Sequence, residues 1–292
     1  MPDITVIGPG AIGGMVAARL CQNSHNDVTV VARTPFERLS LVTPDGDLHA
    51  EPRIATITDE LKPADWVLVA TKAYDSGSAA ALFSSLVNGD TRVAVLQNGV
   101  NHVERFSAFL PRERILPVIV DCPTERIAPG KIRQRGPAVL TVPAGDLGSG
   151  FEALFADTGV DCRQADDFIS MAWWKLCVNA AGVVNALVLQ PARIAHDEAA
   201  AQVMRRVIDE AAAVGRAEGA HLSPDIADEV IEMYRNQPPD SVNSLHADRA
   251  AGRPMEIDLR NGIVTELGRK HGIATPCNEM AVSLLKIDST TR

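Results

Sequence analysis

The sequence predicts an α/β chain in two parts, a parallel-sheet domain followed by an all-α domain. Three observations carry that prediction. Short β-branched runs alternate with helical patterns through the first half, and a glycine-rich turn joins the first of those runs to the first helix. From Asp167 onward the apolar spacing is helical throughout. A boundary near residue 166 follows, giving one domain over residues 1–166 and another over 167–292. The length of 292 residues suits two units at roughly 150 residues each.

The candidate strands of the first part span residues 4–7, 28–32, 66–70, 93–96 and 115–120. Near-continuous apolar runs of this kind fit strands buried on both faces of a sheet. A helix is read over 11–21. Segments 131–135 and 139–142, separated by Gly136-Pro137, read as a hairpin closing this part, followed by a short helix near 151–155. In the second part Asp167 is placed as N-cap of a long apolar helix over 168–189. A second helix runs over 197–218 with Val203, Val207 and Val214 on one stripe, and a third over 225–236 stops before Pro238-Pro239. Further helices are placed at 242–251, 256–270 and 276–286. Thr275-Pro276 pairs a capping hydroxyl with proline at the first helical position.

Composition narrows the class. Apolar residues make up 46% and charged residues 22%, an ordinary globular balance, and aromatics are only 4%, so the core is aliphatic. The formal charge of −9 disfavours a general nucleic-acid or anionic-membrane binder, while leaving room for a local basic pocket that holds a phosphate. Cys21, Cys122, Cys162, Cys177 and Cys277 are scattered without a CxxC pair or zinc-spaced histidines. They read as reduced thiols, with no metal site. The N-terminus enters a strand pattern with no signal-peptide features. Residues 168–189 are long enough to span a bilayer, but Ser170, Lys175, Asn179 and Asn185 interrupt the run, and a mid-membrane lysine is costly. A buried helix in a cytoplasmic protein is the expectation.

Gly8-Pro9-Gly10-Ala11-Ile12-Gly13 matches GxGxxG between a strand and a helix, the signature of a Rossmann-like dinucleotide site. One glycine permits the turn, the next lets backbone approach a pyrophosphate, and the third lets helix and strand pack closely. The helix N-terminus then offers free N–H groups to the anion. The second strand chooses the dinucleotide. It ends Val31-Ala32-Arg33-Thr34, with no acid for a ribose 2′-OH until Glu37. Arg33 can instead pair with a 2′-phosphate through its planar fork, and Lys72 adds positive charge at the same edge, so NADP(H) is favoured over NAD. Asn98, at the end of a central strand, has an amide that both donates and accepts, suited to a nicotinamide or a hydroxy acid.

Lys175 and Asn179 are four residues apart on one face of the apolar helix, and Gly182 continues that face, where it is read as leaving room for a ligand. A lysine there must snorkel to water, pair with a carboxylate, or carry chemistry. A late polar set comprises Asn243, Ser244, Asp248, Glu256 and Asp258. Alone these serve equally well as helix caps and surface; Glu256 gains a sharper role if it meets Lys175.

Together GPGAIG at 8–13, TKAYD at 71–75, LQNG at 96–99, WWKLCVNAAG at 173–182, and NSLHAD with MEID across 243–258 resemble the ketopantoate reductases, the 2-dehydropantoate 2-reductases of pantothenate biosynthesis. The resemblance runs over nearly the whole chain. It implies an N-terminal Rossmann domain, a C-terminal helical domain like that of 6-phosphogluconate dehydrogenase, and NADPH in the cleft between them. It implies that Lys175 donates a proton to the substrate carbonyl oxygen and that Asn179 and Ser244 contact substrate. Asn98 would serve cofactor and substrate, and Glu256 would lie near the lysine and the nicotinamide ribose. Two positions depart from the family pattern: Val183 and Ser241 stand where it usually has asparagines. The expected partner is a small 2-keto acid, with a homodimer as the assembly. Two other readings are a reductase of another small 2-keto acid on the same scaffold, and a non-catalytic NADP(H)-binding redox sensor.

Overall fold

The computed structural model describes residues 1–290, and the chain divides into two compact units between Phe168 and Ile169. The first unit runs, in chain order, β1 (Asp3–Ile7), α1 (Ala11–Leu20), β2 (Asp27–Val31), β3 (Leu39–Thr43), β4 (Gly46–Ala50), β5 (Arg53–Ala55) and β6 (Trp66–Val69). It continues with α2 (Ser76–Ala81), α3 (Phe83–Leu86), β7 (Arg92–Val95), α4 (His102–Phe106), β8 (Ile115–Pro117) and β9 (Ile119–Asp121). It closes with β10 (Thr124–Ala128), β11 (Lys131–Gln134), β12 (Val139–Pro143), α5 (Asp146–Ala153) and β13 (Asp161–Ala165).

The main sheet has the order β5-β2-β1-β6-β7-β8, parallel throughout. The alternation of side chains explains why its strands read as unbroken apolar runs. Ile4, Val6, Trp66, Leu68 and Ala94 enter one core with α1 and α5, while Ile7, Val67, Val69, Val93 and Val95 enter another with α2, α3 and α4. Strand order reverses at β1, so the carboxyl ends of β1 and β6 flank the crevice where ligands bind in sheets of this kind.

A second sheet, ordered β10-β11-β3-β4, packs over the opposite side of α1. Helix α1 is therefore held between two sheets, which accounts for its run of Gly13, Gly14, Ala17 and Ala18. A Cβ on Gly14 would come within 2.6 Å of Ile132 from β11.

The expected hairpin across Gly136-Pro137 does not form. Strand β11 pairs instead with β10 and β3, and β12 pairs with β13 and β9. The hairpin that forms is β10–β11, closed by Pro129-Gly130, with Gly130 at φ +70° supplying the left-handed residue such a turn needs. The apolar run 115–120 likewise divides. Its first half joins the main sheet as β8 and its second half joins β12 as β9, the break falling at Pro117-Val118. Proline has no N–H to extend a ladder.

The second unit contains α6 (Phe168–Ala181), α7 (Val183–Val188), α8 (Glu198–Ala217), α9 (Ile226–Arg235), α10 (Ser244–Ala250), α11 (Asn261–His271) and α12 (Pro276–Thr290). The long apolar run is thus two helices interrupted at Gly182. By length and composition alone it could cross a membrane, and 61% of its most apolar window is buried inside the protein. Its Trp173 packs on α8, where a Cβ on Gly215 would come within 2.9 Å of the indole. On α8, Val207 and Val214 are buried as expected, but Val203 is 40% exposed and Met204 takes the inward place. The stretch read as one helix over 256–270 opens with a short 3-10 turn, and α11 begins only after Arg260. The first-turn N–H groups of α12, on Cys277 and Asn278, donate to the Glu210 carboxylate of α8, both at 2.9 Å, in place of the Thr275 hydroxyl expected from sequence.

Candidate active site

In the first unit the glycine motif occupies the turn from β1 into α1. Gly8 adopts φ +86°, and a Cβ there would lie 2.7–2.9 Å from Thr71, in the loop after β6. On Gly13 a Cβ would meet the Gly8 carbonyl oxygen at 2.3 Å. Both positions are closed by the protein itself. Gly10 is different: its nearest such neighbour is the Gly8 carbonyl oxygen at 4.0 Å, so nothing in the fold excludes a methyl group. Gly10 is the N-cap of α1, and the peptides that follow, at Ala11 and Ile12, open the helix toward this free space. An open cradle at a helix N-terminus fits a pyrophosphate.

That contrast yields a test. Gly10→Ala is expected to leave the melting temperature within about 2 °C of wild type, because its methyl meets no protein atom. The same change should weaken dinucleotide binding at least about tenfold, roughly 1.4 kcal/mol of lost contact. Thermal unfolding and a fluorescence titration read the two effects separately.

Arg33 follows β2, with its side chain 80% exposed and 3.1 Å from the Asp75 carboxylate. Asp75 closes the short 3-10 turn that Lys72 opens, its N–H donating to the Lys72 carbonyl at 2.9 Å. The structure therefore brings Arg33 to the turn that carries Lys72.

Asn98 lies in the loop after β7, and its neighbour Gln97 fastens that loop. The Gln97 amide nitrogen donates to the Thr71 carbonyl and hydroxyl at 3.1 and 3.0 Å. Its oxygen accepts from Ser76 at 3.1 Å and from Arg105 at 2.5 Å, and Arg105 also reaches the Asn98 carbonyl at 3.3 Å. His102 approaches the Gln97 carbonyl at 2.7 Å, so its Nε2 must be the donor. Burial, reinforced by Arg105, pushes the His102 imidazole down to about 4, which keeps the ring neutral in this role. Thr71 thus links the glycine turn to the loop of Asn98.

In the second unit Lys175 and Asn179 sit on α6, half-buried. The carbonyls that end this helix accept hydrogen bonds from side chains on other elements. Tyr234 donates to Val178 at 3.0 Å, Arg260 to Asn179 at 2.5 and 3.2 Å, Asn261 to Ala180 at 3.2 Å, and Asn243 to Gly182 at 3.0 Å. This overturns the expectation that Gly182 leaves room for a ligand. A Cβ there would lie 2.7 Å from the Tyr234 hydroxyl, 2.8 Å from the Asn243 amide and 3.0 Å from Arg260, so the glycine makes room for the protein's own polar groups.

Asn243 also caps α10 by accepting from His246 N–H at 3.0 Å, and Ser244 begins that helix, exposed. Asp248 is buried and pairs with Arg253 at 2.8 Å, a fastening for the end of α10. Glu256 is 8% exposed and opens the 3-10 turn before α11. At Arg260 burial lowers the guanidinium below its usual range, opposed by the negative charges of Glu256 and Asp248. Arg260 was not singled out in the sequence, yet it bridges Asn179 and Ser244. Its place among Asp258, Leu259 and Asn261 carries no sign of burial.

Two family models cover most of the chain: "Ketopantoate reductase PanE/ApbA" over residues 4–146 and "Ketopantoate reductase PanE/ApbA C terminal" over residues 167–288. A 2-dehydropantoate 2-reductase of Caulobacter vibrioides is 54% identical over 98% of both chains. Among solved structures, a PanE/ApbA family ketopantoate reductase from Ralstonia eutropha matches with a TM-score of 0.89 and 29% identity over 99% of each chain. A D-mandelate dehydrogenase solved with NADH and anilino(oxo)acetate matches with a TM-score of 0.90 over 99% of each chain, and at 20% identity that likeness shows the fold alone.

Proposed function

The chain belongs to the ketopantoate reductase family, and from that premise we propose that it reduces 2-dehydropantoate to pantoate with NADPH, a step of pantothenate biosynthesis. The observation that carries the substrate is the full-length likeness to the Caulobacter enzyme. The open cradle at Gly10 and the exposed Arg33 support the cofactor.

The backbone over residues 8–13, from Gly8 and Pro9 through Ala11, Ile12 and Gly13, would hold the pyrophosphate. Arg33 and Lys72 would hold the 2′-phosphate. The reduced dinucleotide, when bound, supplies a hydride. Lys175 donates a proton to the substrate's carbonyl oxygen as negative charge develops there. Glu256 orients the lysine, and Asn98, Asn179 and Ser244 hold the substrate's carboxylate and hydroxyl. Cytoplasmic location and a homodimeric assembly belong to the same proposal.

A second reading, reduction of another small 2-keto acid, is favoured by one observation. Val183 is fully buried, and Asn185 uses its amide on the Gln190 and Pro191 carbonyls at 3.1 and 3.0 Å, so neither offers an amide to a substrate. Loss of nicotinamide absorbance, followed across a panel of 2-keto acids, separates the two. The proposal expects kcat/KM for 2-dehydropantoate at least about tenfold above any other acid in the panel. A higher value for another acid selects the second reading, and no turnover with any acid sinks both.

A further inference from the structure

Arg260 is a buried cation whose hydrogen bonds all go to uncharged oxygens. It is 2% exposed, and its Nε and Nη2 donate to the Asn179 carbonyl while Nη1 reaches the Ser244 hydroxyl at 3.3 Å. Among the described residues no carboxylate hydrogen-bonds it. Burying a charge is unfavourable even with the Glu256 and Asp248 carboxylates acting on it through space, and an apolar side chain of similar volume would avoid that cost. Packing alone therefore does not account for arginine here.

The direction of the hydrogen bonds shows what the charge does. A guanidinium only donates, so the Ser244 oxygen must be the acceptor in that bond. A hydroxyl has one hydrogen, and that hydrogen is then directed away from Arg260. Ser244 is exposed while Arg260 lies buried behind it. The arrangement turns Ser244 into a hydrogen-bond donor, polarised by the buried cation behind it. Such a donor matches an anionic oxygen better than a neutral one.

We propose that Arg260 is a positioning residue for the substrate's carboxylate: it fixes Ser244 as a donor to that group and fastens the backbone of Asn179 beside it. The inference rests on the keto-acid reading above, and it goes further by giving Arg260, which touches no substrate, the task of holding Ser244 as a donor and the Asn179 backbone in place.

The test is a binding cycle on the NADP⁺-saturated enzyme. Calorimetry follows pantoate and its neutral amide in wild type, Arg260→Met, Arg260→Lys, Ser244→Ala and the Arg260→Met/Ser244→Ala double variant. Arg260→Met and Ser244→Ala should each weaken pantoate about tenfold or more, and the double variant little more than either alone. The amide should lose less than about threefold, and Arg260→Lys should recover part of the pantoate affinity. NADP⁺ affinity should be unchanged throughout. Equal losses for pantoate and amide, or multiplicative losses in the double variant, overturn the proposal. If Arg260→Met does not fold, Ser244→Ala decides by the same comparison of pantoate with amide. Wild-type turnover of 2-dehydropantoate with no carboxylate-selective loss in the variants defeats this inference alone. Absence of both turnover and pantoate binding in wild type defeats the underlying reading with it.

Discussion

Lys175→Ala is expected to lower kcat by about 10²–10⁴-fold, the usual contribution of a positioned proton donor. A ketone that gains hydride becomes an alkoxide, and an ammonium at the oxygen both stabilises that charge and discharges it by proton transfer. The lysine is well placed to be held still. It projects from α6, whose last carbonyls are fastened by Tyr234, Arg260, Asn261 and Asn243. None of those bonds involves the Lys175 side chain, so the end of α6 stays fastened in the variant. The glycine turn and Arg33 belong to the other unit, so NADPH affinity should move by no more than about twofold, under 0.5 kcal/mol. Single-turnover kinetics and a cofactor titration on one preparation read both quantities. Turnover within tenfold of wild type would remove Lys175 from the role.

Arg33→Asp should invert the choice of dinucleotide. In the existing Arg33–Asp75 pair the guanidinium is 80% exposed, and pairs screened by solvent in this way contribute about 0–1 kcal/mol. It yields readily to a phosphate, whose charge is greater and whose oxygens match the guanidinium fork. An aspartate at position 33 would do more than delete the fork. It would stand beside Asp75 and present two carboxylates where a 2′-phosphate must go, while offering an acceptor to a ribose 2′-OH. NADPH affinity is expected to fall about 100-fold, near 2.7 kcal/mol, with NADH changing less than about fivefold. Fluorescence titration of both nucleotides checks this. Equal losses for the two would show that Arg33 does not read the 2′-phosphate.

Much of the first unit was legible because its signals are local. A strand buried on both faces is apolar at every position, and a glycine motif between strand and helix has few other uses. Pairing was less legible. Strands β9 to β13 belong to two further sheets in which β11 also pairs with the distant β3, and β12 with β9 and β13, so the hairpin expected at Gly136-Pro137 forms instead at Pro129-Gly130. In the second unit helical spacing placed Lys175 and Asn179 on one face, because that spacing is a property of one helix. Spacing could not show what faces them. Gly182 therefore reads as space for a ligand when Tyr234, Asn243 and Arg260 fill it, and nothing in the spacing marks Arg260 as buried.

The confinement of α1 between two sheets has a bearing on salt. From Gly13 to Leu20 all but one of its residues are buried, so mobile ions cannot line its flanks, and its half-buried amino end is screened less than a fully exposed charge. The Arg33 guanidinium, by contrast, stands in bulk electrolyte, where the Debye length is about 8 Å at physiological strength. Two parts of one binding event thus answer differently to the medium. Raising ionic strength should erode discrimination between phosphorylated and unphosphorylated dinucleotides well before it erodes their shared affinity, making cofactor preference a property of the solution as well as of the chain.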